Sequence, residues 1–362
     1  MPSMYVIGGQ QRSSRPLFAD DRSWYEYQKG VIIQIDGESG QLERRHEYIS
    51  PPEACAEGDA ILFKCASLQG EQLYACTETE VLIYGLPDFT QLGYISLPCF
   101  NDVHHVRPTP QGNLLVVNTG LEMIVELTPA GEVLREWNVL GEDPWEHFSR
   151  RLDYRRGVST KPHRAHPNYT FYVGDEIWAT RFEQRDAISL CDPSRRIDIG
   201  GKRVHDGVLH EGMLYFTLVE GKIVVANPAT LIVEEIIDLN LLTEEDTLLG
   251  WCRGLSFHEG RAWVGFTRIR PTKFREAVSW VRQGFQRVLP SHIACYDLAQ
   301  RRCLAELDVE QHGLNAVFSV YPASAAPSLD AAHEGALVQA SGFAPVPLAP
   351  LPAAPRGEMG GS

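Results

Sequence analysis

The sequence predicts an all-β protein, a six-bladed β-propeller. Short runs of about five residues, rich in Val, Ile, Leu and Tyr, alternate with Gly-centred turns, which is the pattern of successive antiparallel hairpins. These hairpins recur in units of about 40 residues, long enough for four short strands, and this is the blade length of a propeller. No stretch alternates strands with helices as a doubly wound α/β fold does.

The repeat is clearest between two segments that align without gaps. HVRPTPQGNLLVVNTGLEMIVEL begins at His105, and HDGVLHEGMLYFTLVEGKIVVAN begins at His205. Each histidine is followed by a turn glycine at the same distance, Gly112 and Gly212. A further copy, RGLSFHEGRAWVGFT, keeps this spacing with Arg253 in place of the histidine. We therefore expect these two histidines and the arginine to occupy equivalent positions in three blades.

Five continuous units and one split unit account for the ring. The continuous units are expected at 60–97, 101–139, 160–199, 204–239 and 251–308. The sixth joins VIIQID and RRHEYIS near the start of the chain to NAVFSVY and ALVQAS near its end, which closes the ring. The sequence thus predicts one propeller domain over residues 1–343.

Two insertions and a tail interrupt this pattern. Residues 140–164 carry a group of basic side chains that includes Arg150, Arg151, Arg155, Arg156 and Lys161. Residues 271–289 place apolar side chains at steps of four and three, which predicts an amphipathic helix opened by Pro271. Each insertion is expected to be solvated decoration, a contact between copies of a homo-oligomer, or a lid over one mouth of the ring. Residues 344–362 are rich in Pro and Ala, and we expect a disordered tail.

Composition restricts the class of function. The chain is 44% hydrophobic and 22% charged with a net charge of −14, which argues against general binding to nucleic acid or anionic membranes. No run approaches the roughly 20 apolar residues of a membrane span, and the N-terminus lacks the features of a signal peptide. The eight cysteines are scattered without a Cys-x-x-Cys pair, so reduced core thiols in a cytoplasmic protein are expected.

Polar residues at equivalent blade positions predict a shared site. Because the innermost strands line the central channel, His105, His205 and Arg253 are expected to converge there. His166 in the third unit and His312 near the sixth lie at similar places. Two interpretations are open, a functional site in the channel or a set of structural polar plugs.

The second to fourth units resemble a known family. NDVHHVRPTPQGNLLVVNTGLEMIVELTPAGEVLREW resembles a blade of the bacterial arylsulfate sulfotransferases, which are six-bladed propellers. HPNYTFYVGDEIWATRFEQRDAISL is similar to that family's blade with a His-x-Asn pair and a later Arg. The resemblance covers roughly residues 100–225. It implies an anion-binding set of His105, His166, Asn168 and Arg181, with His205 as the histidine that is transiently sulfated.

This resemblance implies sulfuryl transfer through a histidine nucleophile, without a metal or nucleotide. The arginine fork suits the oxygens of a transferred oxyanion. Arg253, Arg155 and Arg156 are further candidates for binding an anionic small molecule, since the basic segment could attract such a substrate to an acidic protein. The family's members are typically exported and longer, with an added N-terminal domain.

Two alternatives belong to other classes. His105, His205 and His312 fall on alternate blades, and three converging imidazoles would hold one divalent transition metal with an open fourth position. This arrangement resembles the three-histidine zinc site of the peptidylglycine amidating lyase propeller, and Arg253 could then orient a carboxylate. The other alternative is a non-catalytic propeller that binds a ligand or a protein.

Overall fold

Six four-stranded antiparallel sheets form the blades of a β-propeller in the computed structural model, which describes residues 1–12, 27–201, 203–243, 247–269 and 287–323. The first strand of each blade is the inner one, because first strands of neighbouring blades contact one another whereas fourth strands expose side chains. The five continuous units predicted from the sequence coincide with blades 1 to 5.

The strands of each blade are given from the channel outward. Blade 1 contains Ser67–Gln69, Gln72–Cys76, Val81–Gly85 and Thr90–Ile95. Blade 2 contains Val103–Pro108, Leu114–Asn118, Met123–Leu127 and Val133–Asn138. Blade 3 contains Pro167–Val173, Glu176–Arg181, Asp186–Ser189 and Arg196–Asp198. Blade 4 contains Val204–His210, Met213–Leu218, Lys222–Asn227 and Ile232–Asp238.

The last two blades are built from more distant segments. Blade 5 contains Trp251–His258, Arg261–Thr267, His292–Asp297 and Arg302–Asp308. Blade 6 contains Ala316–Pro322, Met4–Gln11, Tyr27–Ile35 and Leu42–Tyr48. A small parallel pair joins Thr247–Leu248 to Arg287–Val288. The described residues also form three 3₁₀ turns, Thr119–Leu121, Leu239–Leu242 and Glu310–His312.

Ring closure differs in one respect from the prediction. Blade 6 takes three strands from the start of the chain and one from its end, and Met4–Gln11 pairs with both Ala316–Pro322 and Tyr27–Ile35. The strand Met4–Gln11 was not predicted from the sequence, because its two glycines weaken the strand pattern. A Cβ on Gly8 would lie 1.7 Å from the carbonyl oxygen of Ala316, so glycine is what permits this close pairing. The segment ALVQAS lies outside the described residues.

The repeated glycines lie in the turns where the sequence predicts them. Glu211–Gly212 and Glu259–Gly260 connect the first two strands of blades 4 and 5, and both residues of each turn have positive φ, from 48° to 77°. Two consecutive positive φ angles define the type I′ hairpin, which favours glycine at its second position. Gly112, with φ of 83°, lies in the longer turn of blade 2.

Apolar clusters lie between neighbouring blades around the whole ring. Phe171 and Trp178 of blade 3 pack with Phe216 of blade 4, and five further clusters join the other neighbours. Each fully buried large apolar side chain contributes about 1.5–3 kcal/mol. A seventh cluster, with Tyr169 and Phe318 from inner strands, lies near the axis. The channel is therefore partly filled by apolar side chains.

Several expectations fall outside the described residues. Most of the helix predicted at 271–289 and all of the tail at 344–362 lie there, so these remain predictions, as does oligomerisation through that helix. Arg287 and Val288, at the end of the predicted helix, form a short strand instead. All eight cysteines are unpaired. Among the described residues, no helix has the length and apolar character that crossing a membrane requires.

Candidate functional site

Four histidine rings form a series at one mouth of the ring. Inner strands run in the same direction in every blade, so residues at their starts meet at the same mouth. The ring centroids of His163 and His166 are 4.9 Å apart, those of His166 and His104 are 4.9 Å apart, and those of His104 and His205 are 6.2 Å apart. We call these four residues the histidine column. The column brings together blades 2 and 4 and the segment that leads into blade 3.

A buried lysine lies beside the outer half of the column. The Lys64 ammonium contacts Asp102 Oδ1, lies 3.0 Å from Glu78 Oε1 and 3.4 Å from His104 Nδ1, and is fully buried. Burial opposes the charge of Lys64, but Asp102 and Glu78 hold its pKa above the ordinary value. Burial raises the pKa of Glu78 to about 8. The Lys64 charge holds the pKa of Asp102 well below its usual range, although burial acts in the opposite direction.

A cleft of about 710 Å³, solvent at its mouth included, opens above this charged group. Its floor contains Glu78, Asp102 and His163, and one wall is the stretch 154–161 of the predicted insertion. The Asn101 side-chain amide donates hydrogen bonds to the carbonyl oxygens of Tyr154 and Val158, at 2.8 and 3.1 Å. This part of the insertion therefore lies against the mouth of the ring, and its action as a lid remains a prediction.

His205, at the inner end of the column, has an orienting carboxylate. Its Nδ1 lies 3.3 Å from Asp206 Oδ1, whereas its Nε2 is buried and has no hydrogen-bond partner in the part of the chain that the structure describes. Asp206 Oδ2 accepts hydrogen bonds from the Thr217 hydroxyl at 2.6 Å and from the Gly254 N–H at 2.8 Å. Burial lowers the pKa of His205, so the ring is neutral at pH 7. With its proton on Nδ1, facing Asp206, the ring carries a lone pair on Nε2.

Arg253 lies next to this histidine and lacks an acidic partner. Its guanidinium carbon is 4.4 Å from the ring centroid of Phe318 and 5.3 Å from that of Trp251. The His205 ring is 6.1 Å from the same Phe318 ring. Burial lowers the pKa of Arg253, yet an arginine stays charged at neutral pH. Among the described residues this side chain makes no ion pair, and its Nε is buried without a partner. A buried guanidinium without an ion-pair partner is suited to binding an anion.

His105 has a structural environment, unlike His205. Its Nε2 lies 2.9 Å from the Ser67 hydroxyl, and its Nδ1 accepts a hydrogen bond from the Thr170 N–H at 3.2 Å. Its ring stacks on Tyr169 at 3.7 Å. Both ring nitrogens are engaged, so His105 joins three blades and is not free to bind metal or anion.

The anion-binding set implied by the family resemblance is not assembled. Arg181 forms a bidentate pair with Asp186, at 2.8 and 2.6 Å, and donates a third bond to the Val139 carbonyl. The Asn168 amide donates to the Val204 carbonyl at 3.1 Å. These hydrogen bonds stabilise blade 3 and its neighbours, and they hold the Arg181 fork against Asp186 instead of leaving it open to a transferred group. Of this set, only His166 belongs to the column.

The three histidines that were expected to bind a metal are not brought together in the described part of the structure. His312 lies in a 3₁₀ turn before the inner strand of blade 6, and its Nε2 donates to the Gly40 carbonyl at 2.8 Å. Within the described ranges, three groups place His, Cys, Asp or Glu ligand atoms within 4.8 Å of one another, and none includes His105 or His312. They are Cys65, His205 and Asp206; Asp102, His163 and His166; and Glu142, Glu146 and His147.

The basic insertion is largely neutralised by carboxylates. Arg155 lines the cleft but forms a bidentate pair with Asp153 at 2.8 Å. Arg156 is exposed and donates to the Pro52 carbonyl at 2.8 Å. Arg150 pairs with Glu136 and Arg164 with Glu142. The expected attraction of anionic substrates by this segment is therefore weaker than its sequence indicates.

Six residues of the site were not selected from the sequence: Lys64, Glu78, Asp102, His104, His163 and Asp206. Asp102 and His104 lie in the motif NDVHH, and His163 lies in KPHRAHPN, three positions before His166. Blade 1 supplies Lys64 and Glu78, and its sequence lacks the histidine-to-glycine spacing that identified the other positions.

Comparisons with known proteins support the fold. No family model and no curated protein matches the chain. A protein of unknown function from Bacteroides caccae is similar in structure, with a TM-score of 0.57 and 14% identity over 88% of this chain and 98% of that one. A chain of a nidogen–laminin complex has a TM-score of 0.52 and 8% identity over 88% of this chain and 97% of its own. At such low identity these likenesses show the propeller fold alone, and the resemblance to arylsulfate sulfotransferases remains a prediction.

Proposed function

We propose that this propeller is an enzyme that transfers an anionic group, foremost a sulfuryl group, from a small-molecule donor through His205. The observation that supports the proposal is the state of this imidazole, which is neutral, oriented by Asp206 at Nδ1 and without a partner at Nε2. When a carboxylate holds one nitrogen of a neutral imidazole, the ring is oriented and the other nitrogen is available for attack.

The transfer has two steps. The Nε2 lone pair attacks the sulfur of an aryl sulfate, a nitrogen–sulfur bond forms, and the bond from sulfur to the aryl oxygen breaks to release a phenolate. The proton on Nδ1 stays in its hydrogen bond to Asp206, whose charge stabilises the cationic ring. An acceptor hydroxyl then attacks the sulfur, the nitrogen–sulfur bond breaks, and the acceptor's proton passes to solvent or to the released phenolate. His205 is buried, so the donor reaches Nε2 only when neighbouring side chains move.

In this proposal Arg253 binds the oxygens of the transferred group, which is the role that the family resemblance implied for Arg181. The Arg253 guanidinium lies over the Phe318 ring, which is also 6.1 Å from the His205 ring, carries no ion pair among the described residues, and presents a planar fork of donors. Charge on the oxygens of the transferred group would be stabilised by this fork in a site of low dielectric.

The test uses p-nitrophenyl sulfate as donor and phenol as acceptor. We expect p-nitrophenol release and an adduct of about 80 Da on the peptide that contains His205, and the variant His205→Ala should lose both. Arg253→Lys keeps the charge and loses the fork, so turnover should fall about 10²-fold, the scale of losing one oxyanion donor. His210→Ala is the matched control, because His210 lies on the same strand and stacks on Phe257 away from the column.

Two results would overturn the proposal. One is the absence of adduct and of nitrophenol release with both p-nitrophenyl sulfate and p-nitrophenyl phosphate. The other is an adduct that persists in His205→Ala. The first result would favour a propeller that binds a ligand without reacting with it, and the second would place the reaction at another residue.

A further inference from the structure

Three potential ligands converge at the cleft floor, at the opposite end of the column from His205. The Nδ1 atoms of His163 and His166 are 2.7 Å apart, and Asp102 Oδ2 lies 4.0 Å from His163 Nδ1. Two ligand atoms bound to one metal at about 2.1 Å are roughly 3.0–3.5 Å from each other, depending on the angle. A shift of a few tenths of an ångström at the histidines and about half an ångström or more at the carboxylate would therefore bring all three into coordination distance.

The ligand atoms lack other partners that would satisfy them. Asp102 Oδ1 accepts a hydrogen bond from Lys64, whereas its Oδ2 is buried without a hydrogen-bond partner among the described residues. Two neutral imidazoles face each other through Nδ1, and only one proton fits between these nitrogens. Burial keeps the pKa of His163 below its ordinary value and that of His166 well below it, so both rings are available as neutral ligands.

The backbone around the ligands is held in place from outside. The buried Glu122 carboxylate accepts hydrogen bonds from three consecutive N–H groups, those of Arg164, Ala165 at 3.1 Å and His166 at 2.9 Å. Asp102 and His166 both adopt a φ of 53°, a left-handed conformation that such residues hold only where the surroundings enforce it.

The far nitrogen of the first histidine ligand is also positioned. His163 Nε2 lies 3.2 Å from the Thr160 hydroxyl. Metal-bound histidines commonly use their second nitrogen in this way, which fixes the ring orientation and the tautomer. The ring is thus held with Nδ1 toward His166 and Asp102.

We propose that Asp102, His163 and His166 bind one divalent first-row transition metal at the cleft floor. Two imidazoles and one carboxylate leave coordination positions open toward the cleft, as in two-histidine, one-carboxylate sites, and a small molecule in the cleft could occupy them. The site shares no residue with the three-histidine set expected from the sequence. Lys64 lies on the other carboxylate oxygen, and its charge lowers the affinity below that of a closed structural zinc site.

The test is metal binding by the full chain after removal of metal with a chelator. Cobalt(II) is titrated and followed by its visible absorption, and zinc(II) is titrated by calorimetry. We expect one equivalent to bind, and His163→Ala and His166→Ala should each weaken binding at least 10-fold. Glu122→Gln should weaken binding while the cobalt spectrum keeps its form, because this residue positions the turn without touching the metal.

Two controls separate this site from other metal binding and from the proposed transfer reaction. His147→Ala alters the surface group of Glu142, Glu146 and His147 and should leave the cobalt titration unchanged. His205→Ala should bind cobalt like the parent protein, because His205 is not a ligand of the proposed metal site. The metal site is therefore tested independently of the transfer reaction. The proposal is wrong if the parent protein shows no cobalt spectrum, if His147→Ala abolishes it, or if a folded His163→Ala/His166→Ala variant retains it.

Discussion

Lys64→Met removes a fully buried ammonium from a pair of carboxylates and a histidine. Lys64 contacts Asp102 and Glu78, and neither its head group nor its stem is exposed. Removing one partner of a buried ion pair costs about 3–5 kcal/mol, because the other charge is left uncompensated. Here burial raises the pKa of Glu78 to about 8 whereas the pKa of Asp102 lies well below its usual range, so Asp102 keeps the larger uncompensated charge. Methionine fills a similar volume, so a cavity adds little to this cost.

Urea denaturation at pH 7, followed by tryptophan fluorescence, measures the effect. Lys29→Met is the matched control, since Lys29 pairs with Glu47 at 2.5 Å but both side chains are partly exposed, and such pairs contribute about 1 kcal/mol or less. Adding Asp102→Asn to Lys64→Met should recover part of the loss, because the buried charge is then removed. Equal losses in Lys64→Met and Lys29→Met would refute the reasoning.

Two further predictions concern pH and ring closure. Burial holds the pKa of His105 and His292 below the ordinary value of 6.5, so protonation favours the unfolded chain, and the free energy of unfolding should fall as the pH is lowered from 7.5 to 5.5. His105→Gln should reduce this slope by up to about 1.4 kcal/mol per pH unit, and an unchanged slope in urea titrations would contradict the assignment. Ending the chain after residue 315 removes the inner strand of blade 6 and should abolish cooperative unfolding, whereas ending it after residue 343 should leave the thermal midpoint unchanged. Equal melts of the two truncations would contradict the closure.

The fold was predictable because its signal is local and repeated. A turn glycine at constant spacing recurs in blades 2, 4 and 5, with alternating strands on either side, and the structure places Gly112, Gly212 and Gly260 in those turns. The strand Met4–Gln11 was missed for the opposite reason. Its two glycines weaken the strand pattern, and the need for Gly8 arises only from the approach of Ala316, more than 300 residues later.

The site was predictable only in part, because the partner of a polar side chain is rarely visible in the sequence. Arg181 matched an anion-binding motif, yet the next strand brings Asp186 against it and occupies its fork. His163 matched no motif position, yet the fold brings it against His166 and Asp102. A spacing indicates which residues share a level of the channel, but it does not show which of them are already hydrogen-bonded.

His105 and His205 share a spacing in the sequence but not a place in the strand register, because His105 pairs with Val117 just after the bulge of its strand whereas His205 lies within the bulge between Val204 and Gly207. Both precede their turn glycine by the same interval, yet the next residue is Val106 in one blade and Asp206 in the other. Asp206 orients the histidine beside it and accepts the N–H of Gly254, the residue after Arg253 in the equivalent position of blade 5. The pairs His-Asp in blade 4 and Arg-Gly in blade 5 are therefore joined by a hydrogen bond across the blade boundary. This bond links the strand that carries the oriented His205 to the strand that carries Arg253, which has no carboxylate partner among the described residues. His105 is followed by valine, and its ring nitrogens bond with Ser67 and Thr170 instead.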